Sequence, residues 1–289
     1  MVRALVFISW IVPRRAWVKF FGLLGRLSFF VARKSRRRAF ENLSMAFGNE
    51  KSEKEIFKLS RKVYEMLGKN GGEVLRGFAI NSQEALDKIR RVNGIEHFEA
   101  AHKPGKGVLL LTAHLGAFEF VATELATRGY NPLIVVKRLK DARLNDLLLQ
   151  QRNRAGAQVV PRGEDTIRLI RSLKSGGTVI ILIDQDTKVK SRFVNFFGTP
   201  CATPIGATVL ALRTGAAVVP MFIHLCEDYM HEINCYPSVT MEVTGDEERD
   251  LIVNTQKLSD VVEKEVRRYP EQWVWMHQRW KTKHGKEIR

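Results

Sequence analysis

The sequence predicts an α/β fold, a mainly parallel mixed sheet flanked by helices, preceded by an amino-terminal membrane-associated helical segment. Three observations carry this. From residue 50 onward, short apolar runs of strand length alternate with longer segments of helical period, the pattern of β–α units that close into a parallel sheet. The central runs, 108–112 and 178–183, are continuously apolar, as strands buried on both faces must be. Finally, residues 1–40 hold ten Lys or Arg and no Asp or Glu, set among Phe, Trp and Leu, a composition suited to a bilayer surface.

The elements run in order along the chain. Residues 53–80 and 83–91 have helical character, with a Gly-rich break at Gly71 and Gly72, and lead into a strand near Arg91, Val92 and Asn93. A strand at 108–112 precedes a helix at 116–128, a strand at 132–136 precedes a helix at 141–155, and a strand at 158–160 precedes a helix at 164–174. A strand at 178–183, a helix at 204–213 and a strand at 217–224 complete the alternation. Segments 232–236 and 238–243 add an antiparallel strand or hairpin, and 250–268 a final helix. Thr203 and Pro204 suit a helix start, Thr as N-cap and Pro in the first turn, where free N–H groups would favour an anion. With no repeat, low-complexity tract or linker in the chain, residues 41–289 are expected to form one domain behind an anchoring segment, residues 1–40.

His114 and Glu119 are the most informative pair. They close the segment from Gly107 to Glu119, in which an apolar strand runs out at Thr112, so the imidazole is expected at the carboxyl end of a strand, where open α/β sheets bind ligands. Glu119, in the next helix, could accept a hydrogen bond from one ring nitrogen and leave the other as a base. Taken alone, the pair is equally compatible with a structural His and a solvated Glu.

Two further blocks accompany it. One is Asp184, Gln185 and Asp186, followed by residues 194–198 (Val-Asn-Phe-Phe-Gly) and 202–206 (Ala-Thr-Pro-Ile-Gly); the other is residues 269–281, Tyr-Pro-Glu-Gln-Trp-Val-Trp-Met-His-Gln-Arg-Trp-Lys. In this order and spacing the three blocks resemble the bacterial lipid A biosynthesis (late) acyltransferases, within the lysophospholipid-type acyltransferase superfamily, whose hallmark is a His followed after four residues by Asp or Glu. The resemblance covers most of the chain. It implies transfer of a fatty acyl group from an acyl thioester, acyl carrier protein before coenzyme A, to a hydroxyl of a lipid A precursor at the cytoplasmic face of the inner membrane. His114 would be the general base and Glu119 its orienting carboxylate, with backbone N–H groups near Leu115 to Ala117 facing the oxyanion. The thioester is a co-substrate, so neither cofactor nor metal is expected. The alternatives are another glycolipid or a lysophospholipid acylated from acyl-CoA and, in a different class, a non-catalytic membrane-binding protein.

Other residues are expected at the same edge. Arg162 follows the strand at 158–160, and its guanidinium fork suits a phosphorylated acceptor; without the family context it reads as an exposed loop Arg. Asp184 and Gln185 follow another strand, where they could hold Arg162 or bind acceptor hydroxyls, or could simply cap a turn. Phe196, Phe197 and Gly198 border the acyl-donor site in the resembled family, although two adjacent Phe read equally as core. Thr203 joins them as a candidate phosphate contact. His97, His102, His224 and His231 have no comparable setting. Trp273, Trp275 and Trp280 read as packing and membrane-interface residues.

The net charge of +16 is concentrated at the amino terminus: beyond residue 40 the chain carries 37 basic against 31 acidic residues. Pro13, Arg14 and Arg15 interrupt the apolar run, and Lys19 and Arg26 punctuate its second half, so neither half is a comfortable span. On a helix, Arg15, Lys19, Arg26 and Arg33 form one stripe opposite a wide apolar face, with the cluster from Arg33 to Arg38 behind it, which suits interfacial attachment to anionic membrane lipids. A signal peptide is disfavoured because the charge lies after the apolar run and no cleavage motif is evident. Nucleic acid is not the expected partner, since the cations alternate with Trp and Phe and no recognition motif is present. Cys201, Cys226 and Cys235 lack metal or disulfide spacing and are expected to be reduced thiols.

Overall fold

The computed structural model describes residues 2–103, 105–137, 141–162, 165–286 and 288, with side chains described from residue 5 onward. Four helices open the chain: α1 (Val2–Ile11), α2 (Arg14–Val31), α3 (Arg33–Phe47) and α4 (Glu53–Gly77). They are followed by α5 (Ser82–Leu86), β1 (Ile89–Asn93), α6 (Ile95–His102), β2 (Val108–Thr112), α7 (Glu119–Thr127), β3 (Leu133–Val136), α8 (Ala142–Arg154), β4 (Gln158–Pro161), α9 (Thr166–Lys174) and β5 (Thr178–Leu182). The chain ends with β6 (Ser191–Phe196), β7 (Thr199–Pro204), α10 (Gly206–Thr214), β8 (Ala217–Leu225), β9 (His231–Cys235), α11 (Glu247–Arg268) and a 3₁₀ turn at Pro270–Gln272.

Seven strands form one sheet in the order β1-β9-β8-β2-β5-β3-β4. β2, β5, β3, β4 and β8 run parallel, β9 turns back antiparallel to β8, and β1 lies parallel to β9. The expected mixed, mainly parallel sheet flanked by helices is what forms. Every residue of β2 is buried, which is why its sequence is apolar without alternation. β6 and β7 make a separate antiparallel hairpin, turned by Phe197 (φ 53°) and Gly198 (φ 70°), the left-handed pair that a two-residue connection requires.

Several local expectations are corrected. α4 runs unbroken through Gly71 and Gly72. A Cβ at Gly72 would lie 2.8 Å from the Cβ of Phe21, and Trp17 Nε1 donates to the Gly72 carbonyl at 2.8 Å, so this glycine admits α2 at close range, a use that outweighs its helix cost of about 1 kcal/mol. Helix 83–91 reduces to α5, because β1 already begins at Ile89. Segment 238–243 contributes one isolated bridge, Val218 to Val239, and no strand. Helix 116–128 starts only at Glu119, and the expected helix at 164–174 opens on Glu164, outside the described residues. Thr203 and Pro204 end β7, and α10 starts at Gly206 without a side-chain cap.

The amino-terminal helices pack on the domain through small residues. A Cβ at Gly25 would fall 2.2 Å from the Tyr64 carbonyl oxygen, and one at Gly68 2.2 Å from that of Phe21. Trp17, Val18, Gly22, Gly25 and Phe29 face α4 and are buried, whereas Phe20, Leu23, Leu24, Leu27, Phe30 and Val31 are exposed. The apolar face read from the sequence is thus divided between α4 and the exterior. At 3.6 residues per turn, Arg15, Lys19 and Arg26 lie along the border between the two arcs. Residue 40 lies inside α3. Among the described residues no helix is long and apolar enough to cross a membrane.

Candidate active site

The parallel register sets up the site. Thr112 of β2 pairs with Leu182 of β5, so the residues two beyond each, His114 and Asp184, emerge side by side at the carboxyl edge. They touch: His114 Nδ1 lies 2.8 Å from Asp184 Oδ1, and the His114 backbone N–H donates to Asp184 Oδ2 at 2.8 Å. Trp273 Nε1 donates to the same Oδ2 at 2.8 Å. Three donors therefore fix a carboxylate that is fully buried, while the imidazole side chain keeps 29% exposure. With Nδ1 held by the carboxylate, Nε2 is the nitrogen left for chemistry.

The electrostatics match the geometry. Burial opposes ionisation of Asp184, but the adjacent His114 and the hydrogen bonds from His114 and Trp273 outweigh it, and the carboxyl is lowered to about 2. Burial likewise pushes the His114 imidazole down; the Asp184 charge and hydrogen bond, with a smaller contribution from Glu119, overcome this, and the net shift is upward. An oriented, partly exposed imidazole of raised basicity at a strand end has the geometry that a general base needs.

Glu119 does not take the part expected of it. Its two oxygens accept from Arg152 of α8, Oε2 from Nε at 2.9 Å and Oε1 from Nη2 at 2.6 Å, and the Arg152 and Glu119 side chains are nearly buried, at 12% and 10% exposure. The hydrogen-bonded partner of His114 is Asp184. The reason is the late start of α7: Leu115 to Phe118 form a non-helical loop, in which the Leu115 N–H donates to Ala113 O and the Gly116 N–H to Gln272 O. Gly116 sits at φ 60°, and a Cβ there would meet the Ile223 carbonyl oxygen at 2.4 Å, so glycine is required to bring the strand end against β8. The N–H groups of Leu115 and Gly116, expected to face an oxyanion, are thereby engaged, and so are two in the first turn of α7, Phe120 to Ala117 O at 3.0 Å and Val121 to Phe118 O at 3.1 Å.

Arg162 emerges directly after β4, where Nη1 donates to Thr187 Oγ1 at 3.0 Å. It is held by Thr187 and by neither Asp184 nor Gln185. No carboxylate pairs with it among the described residues, and its positive charge is close enough to oppose protonation of His114. Gln185, half-buried beside Asp184, makes no hydrogen bond to the described residues. Next to Arg162, the ends of β3 and β4 and one face of α8 line a cavity of about 410 Å³ whose walls include Val136, Leu149, Val159 and Pro161. A second cavity, about 510 Å³, opens around Trp10, Asn81 and Arg154 and includes none of His114, Asp184 or Arg162.

The hairpin residues lie behind the site. Phe196 packs on Trp273 at 5.5 Å between ring centroids and Phe197 on Trp275 at 5.6 Å; both Phe are buried in the core, and Gly198 forms the turn. Thr203 is buried and its Oγ1 accepts from Arg279 Nη2 at 2.6 Å, which corrects its reading as a phosphate contact. Trp273 is the residue whose role the sequence concealed: a packing ring by composition, it is also the donor that holds Asp184. Arg152 carries no signal of its own in the sequence, because nothing in a polar helix marks which cation turns inward.

His224, Cys226 and Glu232 bring ligand-type atoms within 4.8 Å of one another. Glu232 already pairs with Arg90 and Arg91, and His224 stacks on Tyr269 with centroids 3.8 Å apart, an ion-pair and stacking arrangement. Cys201, Cys226 and Cys235 are free thiols.

Comparison with known proteins identifies the family. The chain is similar to a lipid A biosynthesis acyltransferase of Haemophilus influenzae (29% identity over 96% of this chain and 86% of the relative) and to the lipid A biosynthesis lauroyltransferase of Escherichia coli (29% over 90% and 83%). A phosphatidylinositol mannoside acyltransferase of Mycobacterium tuberculosis is 28% identical over 75% of this chain and 68% of its own length. Residues 1–282 match the family described as bacterial lipid A biosynthesis acyltransferase, and with that span the chain belongs to that family and is an acyltransferase.

Proposed function

We propose that the protein moves a fatty acyl group from an acyl thioester, carried by acyl carrier protein, to a hydroxyl of a lipid A precursor at the cytoplasmic face of the inner membrane. The observation that carries the mechanism is the contact between His114 and Asp184. His114 Nε2 removes the proton from the acceptor hydroxyl as its oxygen attacks the thioester carbonyl. Asp184 holds the tautomer and stabilises the imidazolium that forms. Collapse of the tetrahedral intermediate expels the thiolate, which takes the proton back from His114, and no covalent acyl-enzyme is needed. Arg162 pairs with acceptor phosphate, and the apolar cavity beside it has the size and lining for an acyl chain.

Glu119 serves as a positioning residue that ties α7 to α8 through Arg152. The exposed arc of α2, bordered by Arg15, Lys19 and Arg26, lies in the bilayer interface with its cations at head-group level. The phosphatidylinositol mannoside acyltransferase relative makes another acceptor glycolipid the second reading. The test is incubation of the full chain with acyl-carrier-protein and coenzyme A thioesters and a panel of lipid acceptors, with products read by mass spectrometry. Acylated lipid A precursor formed from the carrier-bound donor supports the reading; acylation of another glycolipid alone refutes the acceptor.

A further inference from the structure

Residues 281–286 and Ile288 lie against residues 186–193 at the margin of the site. The Thr282 N–H donates to Asp186 Oδ2 at 2.9 Å, the His284 ring lies 4.8 Å from that of Phe193, and the Ser191 N–H donates to Ile288 O at 2.7 Å. Lys188, Lys190, Lys281, Lys283 and Lys286 all lie on this strip and are exposed. Against these five lysines the sequence stretches 186–193 and 281–288 contain two acids, Asp186 and Glu287, and Asp186 is buried and bonded to Thr282 and Lys281. Among the described residues Lys188, Lys190, Lys283 and Lys286 pair with no carboxylate. The strip leads into the site: Thr187, which holds Arg162, precedes Lys188, and Asp184 lies two residues before Asp186.

We propose that this strip is the docking surface for an acidic carrier protein, which from there presents its thioester to His114. The inference rests on the carrier-bound donor proposed above. The strip differs in kind from the basic border of α2. On α2 the cations stand among exposed Phe20, Leu23, Leu24, Leu27 and Phe30, whereas on the strip Ile288 is the single large apolar side chain exposed among the described residues. A bilayer rewards apolar insertion first and surface lysines only weakly. A soluble acidic protein needs the reverse, unpaired charge on a polar surface that steers encounter and fixes register.

The test uses the full chain and the combined variant Lys188→Glu, Lys190→Glu and Lys283→Glu, with the Gln triple in parallel should the reversed charges disturb folding. Three donors of one acyl chain are compared: acyl-acyl carrier protein, acyl-CoA and acyl-pantetheine. The expected result is a KM for the carrier-bound donor raised about tenfold or more, a flattened salt dependence and an unchanged kcat. Turnover of acyl-CoA and acyl-pantetheine stays within about twofold, as does binding to anionic vesicles. Equal losses for all three donors, a loss confined to acyl-CoA, or a loss of vesicle binding would each overturn the assignment. A wild type that prefers the carrier-bound donor beside a variant that is unaffected refutes the surface alone; a wild type indifferent to the carrier refutes the donor.

Discussion

Replacing Asp184 by Asn separates the two carboxylates near His114. A carboxyl held at about 2 where 3.8 is ordinary represents about 2 kcal/mol in favour of its charged form. The pKa is depressed on folding, so this contribution is present in full above 3.8 and is lost as pH falls toward 2; at neutral pH Asp184→Asn forfeits all of it. Activity should fall further than stability, by about 10²–10⁴, since the amide can neither select the tautomer nor balance the imidazolium. The pH profile is the more discriminating readout. In the wild type the acid limb of kcat/KM follows His114, raised above 6.5 by Asp184. With Asn in place, burial acts unopposed by Asp184 and the limb moves to lower pH. Glu119→Gln should behave differently: it leaves Arg152 half-paired in a nearly buried site, a loss of about 3–5 kcal/mol in unfolding free energy, while the acid limb moves little. Both variants would be compared by kcat/KM across the range from weakly acidic to weakly alkaline pH and by thermal and denaturant unfolding. An Asp184→Asn enzyme within about tenfold of wild type, or an acid limb that shifts in Glu119→Gln and stays fixed in Asp184→Asn, would refute the assignment of the orienting carboxylate.

Further outcomes are expected from the same geometry. His114→Ala should abolish transfer and, because it removes the ring donor that helps hold the buried Asp184 carboxylate, should also cost about 1.5–3 kcal/mol of stability; residual activity within about tenfold would remove it as the base. Trp273→Phe keeps the ring but deletes the donor to Asp184, and should cost about 1.5–3 kcal/mol of stability together with a kcat loss that adds nothing in the Asp184→Asn background, as a double-mutant cycle would reveal. Arg162→Lys should raise KM for a phosphorylated acceptor and leave donor dependence unchanged, a split absent if the acceptor phosphate binds elsewhere. Gly25→Leu should displace α2 from α4, seen as new protease cleavage near residues 12–32 with the carboxyl-terminal domain intact. Removal of residues 1–31 should release much of the protein from anionic vesicles in flotation; unchanged flotation would place the lipid-binding surface elsewhere.

The legible part of the structure is the local part. The continuous apolar run of β2, its end at Thr112 and the histidine beyond it are contiguous, so a base at a strand end can be read without knowing any neighbour. The same holds for Arg162 after β4 and Asp184 after β5. Strand order is not local. That β5 lies beside β2, with Thr112 opposite Leu182, is set by crossovers through α7, α8 and α9, and it alone decides that Asp184 reaches the ring while Glu119, five residues away in the chain, turns to Arg152. The error over Thr203 and Pro204 has a related cause. A Thr followed by Pro fits a helix start and an edge strand equally well, and pairing with β6, invisible before the hairpin turn at Phe197 and Gly198 is recognised, favours the strand. Trp273 shows the limit from the other side: an indole buries for its area and donates for its N–H, and only the tertiary packing of residues 272–275 against 115–116 and 184 reveals that the donor is the part nearest the chemistry. The carboxyl-terminal segment therefore supports the proposed site and the core together: Trp273 donates to Asp184, and Trp273, Trp275 and Arg279 are fully buried, so a chain truncated before residue 270 should lose stability along with transfer, read as a lowered Tm.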